Sequence, residues 1–395
     1  MSEISESTCT SPLRRVLRVC RRIALNIVPL AEVSAQEWER FVESSDECWL
    51  YHHPLFLDLH LTDSRSFALV ENGKVMGGCI LYVNRSGLGK VLSQRYGPAG
   101  LALSPNIARK AYPLVRQHLI ETARADGCHA VQLGLPALAP RYAEPDYLDS
   151  HLYHLGFNNT LRWGTRTHYT PSYATVIDLR DSEAKIWAGF SELTKRKCRA
   201  ASRIRFTVEV LQRDVSREAW DEFVVNNAAT MRKSALPPVA PPVLSKLRAA
   251  MDRGCAALLH LRVGAVSKGS LLLLTYKSAA FYFASGVLPD AYKDGFAAQL
   301  HWSAICELKR LGFAQYEVGQ FYPELKGTKL SQIGEFKRTF GGKKRSVLAG
   351  EMITNDMRFL CLDLLPAYAR RSLVKISFLK SFVRRVRMLS LPARS

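Results

Sequence analysis

The sequence predicts a mixed α/β (α+β) chain of two similar lobes in tandem, each a twisted mixed sheet flanked by helices. Three observations predict it. A chain of 395 residues exceeds what one ordinary core organises. Hairpin, helix and strand signals recur in the same order in each half. The helix-to-strand junctions of the halves also align. Ala125-Asp126-Gly127-Cys128-His129-Ala130 stands against Arg310-Leu311-Gly312-Phe313-Ala314-Gln315, and Gly134 and Gly319 follow the two strands.

In the first half, Ser34 to Glu39 opens a helix, with Ser34 and Glu37 at capping-box spacing. Phe67 to Glu71, Asn72-Gly73 and Val75 to Val83 read as a hairpin on an Asn-Gly turn. Arg95-Tyr96-Gly97-Pro98 is a loop. Asn106 to Ala125 is helical, interrupted near its start by Pro113, and Asp126-Gly127 ends it before a strand at Ala130 to Leu135. In the second half, Trp187 to Ser202 is a strongly basic helix. Ala256 to Val263 and Ser270 to Tyr276 form a hairpin. A strand at Ala280 to Ala284, a helix at Phe296 to Leu311 and a strand at Gln315 to Val318 follow. Pro237 to Pro242 reads as a stiff extended loop. The expected organisation is a basic, disordered extension (1–27), a first lobe (28–168) and a second lobe carrying the donor and catalytic site (169–350). A basic amphipathic helical tail (351–395) closes the chain.

A hydrophobic fraction of 47% with 23% charged residues is that of a soluble globular protein, and no apolar run is long enough to span a bilayer. The net charge of +20 attracts polyanions: RNA, anionic head groups or phosphorylated substrates. Nine scattered cysteines without a C-x-x-C pair fit neither a zinc site nor a disulfide framework, so no metal is expected and the compartment reads as a reducing cytoplasm. From Arg370 to Ser395 there are eight basic residues and no acidic one. Leu373, Ile376, Leu379, Val383 and Val386 form an apolar stripe there, the pattern of a helix adsorbed on an anionic inner membrane face. The competing reading is a helix packed on the body.

The richest segment runs from Ala280 to Arg345: strand, glycine turn (Tyr292 to Ala297), helix, strand and a basic closing run, Phe336-Lys337-Arg338-Thr339-Phe340-Gly341-Gly342. A helix start between two strands presents unpaired N–H groups and a positive dipole end. Gly295, Phe296 and Ala297 are therefore candidates to hold a donor phosphate, with Lys293 beside them and Asp294 as the helix cap. Glu317 is a candidate proton acceptor, or a side chain on the solvent face of the sheet. Tyr282 is a core aromatic, or a phenol facing the cleft to protonate a leaving group. Lys337 and Arg338 are candidates for anionic parts of a substrate. His301 reads as an interface histidine. No G-x-S-x-G elbow or nucleophile–base set is present.

These segments, with Leu193-Thr194-Lys195-Arg196-Lys197, Tyr96-Gly97-Pro98 and Tyr153-His154-Leu155-Gly156-Phe157, resemble the GNAT superfamily of acyltransferases. The resemblance, over roughly residues 28 to 348, is to the branch with two lobes in tandem. That branch holds BioF2-like acetyltransferase domains and the Fem family of peptidoglycan-bridge aminoacyltransferases. It implies a sheet whose two middle strands splay apart. It also implies direct attack of an amine on the donor in a ternary complex, with acyl-CoA, or alternatively aminoacyl-tRNA, as donor. The acceptor would be an amine on a small molecule or a cell-envelope precursor. Backbone donors near Ala284 and Ser285 would hold the carbonyl oxygen, with Ser285 joining Tyr282 and Glu317 as catalytic residues. Arg95 and Tyr96 would join Lys337 and Arg338 at the substrate. The family's phosphate loop, Q/R-x-x-G-x-G/A, keeps Gly295 and Ala297 here but has Tyr292 first. A non-catalytic scaffold that binds RNA or membrane is the alternative outside enzymes.

Overall fold

A computed structural model of the chain describes residues 25–86, 89–158, 172–213, 215–234, 236–323 and 329–365. Residues 1–24 of the basic extension, most of the expected lobe boundary and the stripe of residues 370–395 lie outside the described residues, while Asn26 and Ile27, expected in the extension, begin the first strand. The first half runs β1 (Asn26–Pro29), α1 (Ala35–Ser44), β2 (Phe67–Glu71), β3 (Lys74–Cys79), β4 (Tyr82–Ser86), β5 (Gly89–Ser93), β6 (Ala102–Leu103), α2 (Ala108–Ala125), β7 (Ala130–Gly134) and α3 (His151–Leu155). The second half runs β8 (Tyr173–Asp178), α4 (Glu183–Ala188), α5 (Glu192–Ala201), β9 (Thr207–Leu211), α6 (Arg217–Lys233), α7 (Pro241–Asp252), β10 (Ala256–Val263), β11 (Val266–Tyr276) and β12 (Ala279–Val287). It closes with α8 (Phe296–Arg310), β13 (Gln315–Phe321), α9 (Lys329–Arg338), β14 (Lys343–Ser346), β15 (Ala349–Ile353) and α10 (Asp356–Phe359).

Local chemistry accounts for the boundaries. Ser34 caps α1 by accepting from the Glu37 amide. Asn72 and Gly73 both take positive φ, which the tight turn between β2 and β3 requires. The matching junctions share one geometry. Gly127 (φ 70°) ends α2 and Gly312 (φ 83°) ends α8, with the next amides, Cys128 and Phe313, closing back onto the Ala123 and Leu308 carbonyls.

The strands form sheets ordered β1-β2-β3-β6, β15-β7-β5-β4 and β14-β8-β13-β12-β11-β10-β9. In each half a parallel pair lasts three residues and then diverges. β5 meets β7 at Val91–Ser93, and β12 meets β13 at Ala279–Phe281. β8 lies beside β13, while β15, from the far end of the chain, completes the first-lobe sheet beside β7. One apolar core runs through both lobes, from Leu50, Phe67 and Leu92 to Phe223, Leu247 and Leu272. A second lies between the large sheet and α8.

Three expectations need correction. The basic helix expected over Trp187–Ser202 is two helices, because Ser191 caps α5 and breaks the run at Gly189-Phe190. Pro241 and Pro242, expected in an extended loop, occupy the first turn of α7, where a missing N–H costs no hydrogen bond. Residues 351–353, expected in the tail, belong to β15.

Candidate active site

On the α8 side of β12, beyond its short pairing with β13, lies a cleft of about 310 Å³. α6, β12, the start of α8 and α9 line it, through Thr230, Tyr282, Ser285, Gly295, His301 and Phe336 among others. Residues 282 and 285 of a regular strand would face opposite sides of the sheet. A bulge prevents that. Leu272 pairs with Ala284 and Leu273 with Tyr282, so Phe283 is an extra residue and parity shifts by one. Tyr282 and Ser285 therefore share the cleft face, with their hydroxyls 2.7 Å apart. The Ser285 carbonyl accepts from Asn227 Nδ2 at 3.0 Å rather than from β11. A strand residue's N–H lies on the same edge as its C=O, so the Ser285 amide is directed into the cleft.

His301 stands behind Tyr282, ring centroids 4.7 Å apart, and its Nδ1 lies 2.8 Å from the Tyr316 hydroxyl. Burial, then the Lys337 charge, push its pKa down to about 3, so it is neutral. Its place one step from the buried stripe of α8 was the sole sequence signal for it. Burial pushes the Tyr282 phenol up to about 12, keeping it a proton donor.

Glu317 does not line this cleft. β13 alternates, so Tyr316 and Val318 face α8 and Glu317 faces the other side, where the Tyr51 phenol of the first lobe senses its charge. It is 5% exposed, and burial pushes its carboxyl up to about 7 against the pull of Lys337 and Arg345. Lys337 enters the wedge from α9. Its Nζ donates to the Gln320 carbonyl at 3.4 Å and lies 5.9 Å from the Tyr282 ring. A Cβ on Gly319 would come within 2.5 Å of that Nζ, so a glycine at φ 113° leaves the lysine its place. Burial lowers the Lys337 pKa, and Glu317 opposes the shift. Burial favours the uncharged form of both partners, and each charge offsets that for the other.

Comparisons with known proteins agree with this geometry. Residues 193–328 match the family model described as an acetyltransferase (GNAT) domain. The crystal structure of FemX superposes with a TM-score of 0.63 at 12% identity, covering 86% of this chain and 100% of that one. The chain has the fold of FemX, and residues 193–328 in its second half match a GNAT domain. L-PGS from Bacillus licheniformis (TM-score 0.53, 14% identity, 84% of this chain and 96% of that one) has a similar fold. So does a C-terminal domain (DUF2156) assigned to a lysylphosphatidylglycerol synthetase from Agrobacterium fabrum (TM-score 0.52, 14% identity, 86% and 95%). No curated protein matches the chain at sequence level.

The two lobes differ at the wedge. In the first, the Gln94 side chain bridges the gap: its Nε2 donates to the Gly134 carbonyl and its Oε1 accepts from the Gly134 amide, both at 2.8 Å. In the second, Lys337 takes the corresponding place, its Nζ against Gly319 and the Gln320 carbonyl.

The remaining candidates divide. Gly295 and Ala297 line the cleft, but the close approach at Gly295 (φ 84°) is to α5, since a Cβ there would lie 2.2 Å from the Lys197 carbonyl. Asp294 does not cap α8, because Gly295 is the N-cap residue. The Phe296 amide donates to Ala291 and the Ala298 amide to Gly295, which leaves the Ala297 amide as the first-turn donor for an anion among the described residues. The Phe296 side chain is a correction: it is fully buried against Phe206, because the helix turns it into the core. Lys293 is exposed on the turn beside the cleft-lining Tyr292. Lys197 lines the cleft, and Lys233 lies 4.2 Å over the Tyr292 ring. Arg338, exposed, pairs with Glu335 at 3.1 Å and lies over Phe321.

Arg95 and Tyr96 are not brought to the cleft. Arg95 pairs with Asp63 and lies over Tyr82. The Tyr96 hydroxyl donates to Asp58, which also pairs at 2.7 Å with Lys246 of α7. Among the described residues no cluster of metal-ligating side chains occurs, and no helix is long and apolar enough to cross a membrane.

Proposed function

We propose that the chain moves an acyl or aminoacyl group from an anionic carrier to an amine by direct attack through the second-lobe wedge. The observation that carries this reading is the placement of Tyr282 and Ser285 on one face of the splayed sheet and Glu317 on the other, with Lys337 between them. The donor carbonyl would accept from the Ser285 amide as its oxygen becomes an oxyanion. The amine nitrogen attacks the carbonyl carbon while the carrier's C–S or C–O bond breaks. The amine proton passes to the Glu317 carboxylate, poised near neutral pH, and Tyr282 gives its proton to the departing sulfur or oxygen.

The carrier is a coenzyme A thioester or a charged tRNA. The exposed Arg196, Arg199, Arg203 and Arg205, next to the cleft-lining Lys197, favour the larger polyanion. The fold likeness to proteins named for lysylphosphatidylglycerol synthesis favours an amine or envelope-lipid precursor as acceptor. Residues 370–395 would hold the protein at an anionic inner face, on the cytoplasmic side. The test is transfer from labelled acyl-CoA and labelled aminoacyl-tRNA to a panel of amines. Product that disappears in Glu317→Gln and Tyr282→Phe supports the reading. A rate that neither substitution lowers overturns it.

A further inference from the structure

Beyond Ser285, the splayed edge of β12 is already occupied. The Val287 amide donates to Thr230 Oγ1 at 2.9 Å, and the same hydroxyl donates to the Val287 carbonyl at 3.2 Å. Exchanging both bonds with one residue is what a neighbouring strand does in an antiparallel pair. Asn227 Nδ2 takes the Ser285 carbonyl on the same edge. Two side chains of α6 thus stand where an added strand would lie, and Thr230 lines the cleft.

α6 is fixed in that position. A Cβ on Gly286 would lie 2.3 Å from the Asn226 carbonyl carbon and the Asn227 amide nitrogen, so the helix backbone rests directly on the strand. Asn226 Nδ2 donates to Ser267 Oγ at 3.1 Å and to Ser270 Oγ at 3.4 Å. The Ser270 hydroxyl in turn lies 2.9 Å from Nδ1 of the fully buried His260, whose Nε2 lies 2.9 Å from the Ala219 carbonyl. Lifting α6 away would strand these buried polar groups.

Resting on the reading of the cleft as the donor site, we propose that Thr230 and Asn227 determine donor specificity by excluding a carrier arm that lies along β12. A pantetheine arm is extended and carries two amides, so its natural seat on an open strand edge is as an added strand. Here that seat is taken, and the Ser285 amide is the donor left facing inward. A carrier that presents its ester end-on needs that donor alone.

The test is calorimetric titration of coenzyme A into the full chain, as wild type, as the Thr230→Ala/Asn227→Ala double variant and as Thr230→Ser, with thermal melts confirming folding. The double variant should bind coenzyme A at least about tenfold more tightly than wild type, one hydrogen-bonding site having been opened for the arm. Thr230→Ser keeps the hydroxyl and should match wild type. Any smaller gain in the double variant, or an equal gain in Thr230→Ser, overturns the proposal. Acyl transfer measured separately tests the cleft reading: its absence with every carrier sinks that reading whatever the titration shows.

Discussion

Tyr282 and Ser285 lie three apart in one strand, yet their hydroxyls meet at 2.7 Å on the same face of the sheet. The bulge at Phe283 brings them together, and it does so where β12 leaves β13. A hydroxyl pair beside an inward-directed amide supplies a donor to a developing oxyanion and a proton for a leaving group. Replacing Tyr282 by Phe should lower kcat by about 10²-fold with little change in thermal stability. Steady-state kinetics with a circular dichroism melt would check both; an unchanged kcat removes the phenol from the chemistry.

Glu317 links activity to pH. The ionised carboxylate is the acceptor form, so the rate should rise with pH through a midpoint near 7, and Glu317→Gln should be slow and flat across that range. Stability runs the other way. Burial raises the carboxyl from 4.5 to about 7 in the folded chain, so the unfolded chain releases this proton first. The contribution is full below the lower value and is lost as pH climbs to the upper one. At pH 8 the glutamine variant should be more stable than wild type by up to about 3 kcal/mol. Urea unfolding at pH 5 and pH 8 reads this difference directly.

Lys337 holds the Glu317 carboxyl below the value that burial alone would set. Lys337→Met should therefore move the midpoint of the pH–rate profile to higher pH, by about one unit. A variant that slows the reaction without moving the midpoint would separate the two residues.

Gly295 tests packing rather than phosphate binding. With φ at 84° and the Lys197 carbonyl 2.2 Å from a Cβ, Gly295→Ala should destabilise the fold by about 1–3 kcal/mol or more. Chemical denaturation would show it. A fully stable, inactive Gly295→Ala would instead point to close approach by a ligand.

Much of the second lobe was legible in its sequence. Strand, glycine turn, helix and strand each carry their own signal: apolar alternation, a residue able to take positive φ, a 3.6-residue stripe, and a glycine stop. The matching Gly127 and Gly312 junctions, with identical closing bonds, show why the repeat could be read from so few residues. The placement of Arg95 and Tyr96 was not legible, because their partners Asp63 and Asp58 lie in a distant loop and give no periodic signal.

By itself the sequence determined the local elements, their order and the mixed α/β class, since propensity, turn chemistry and apolar period act over a few neighbours. The tertiary structure alone decided which face each candidate serves. One bulged residue turns Ser285 toward Tyr282, and alternation between Tyr316 and Val318 turns Glu317 toward the first lobe. Packing of α6 on Gly286 closes an edge that would otherwise be open. Facing depends on strand parity and on partners far along the chain, and neither is encoded in a local pattern.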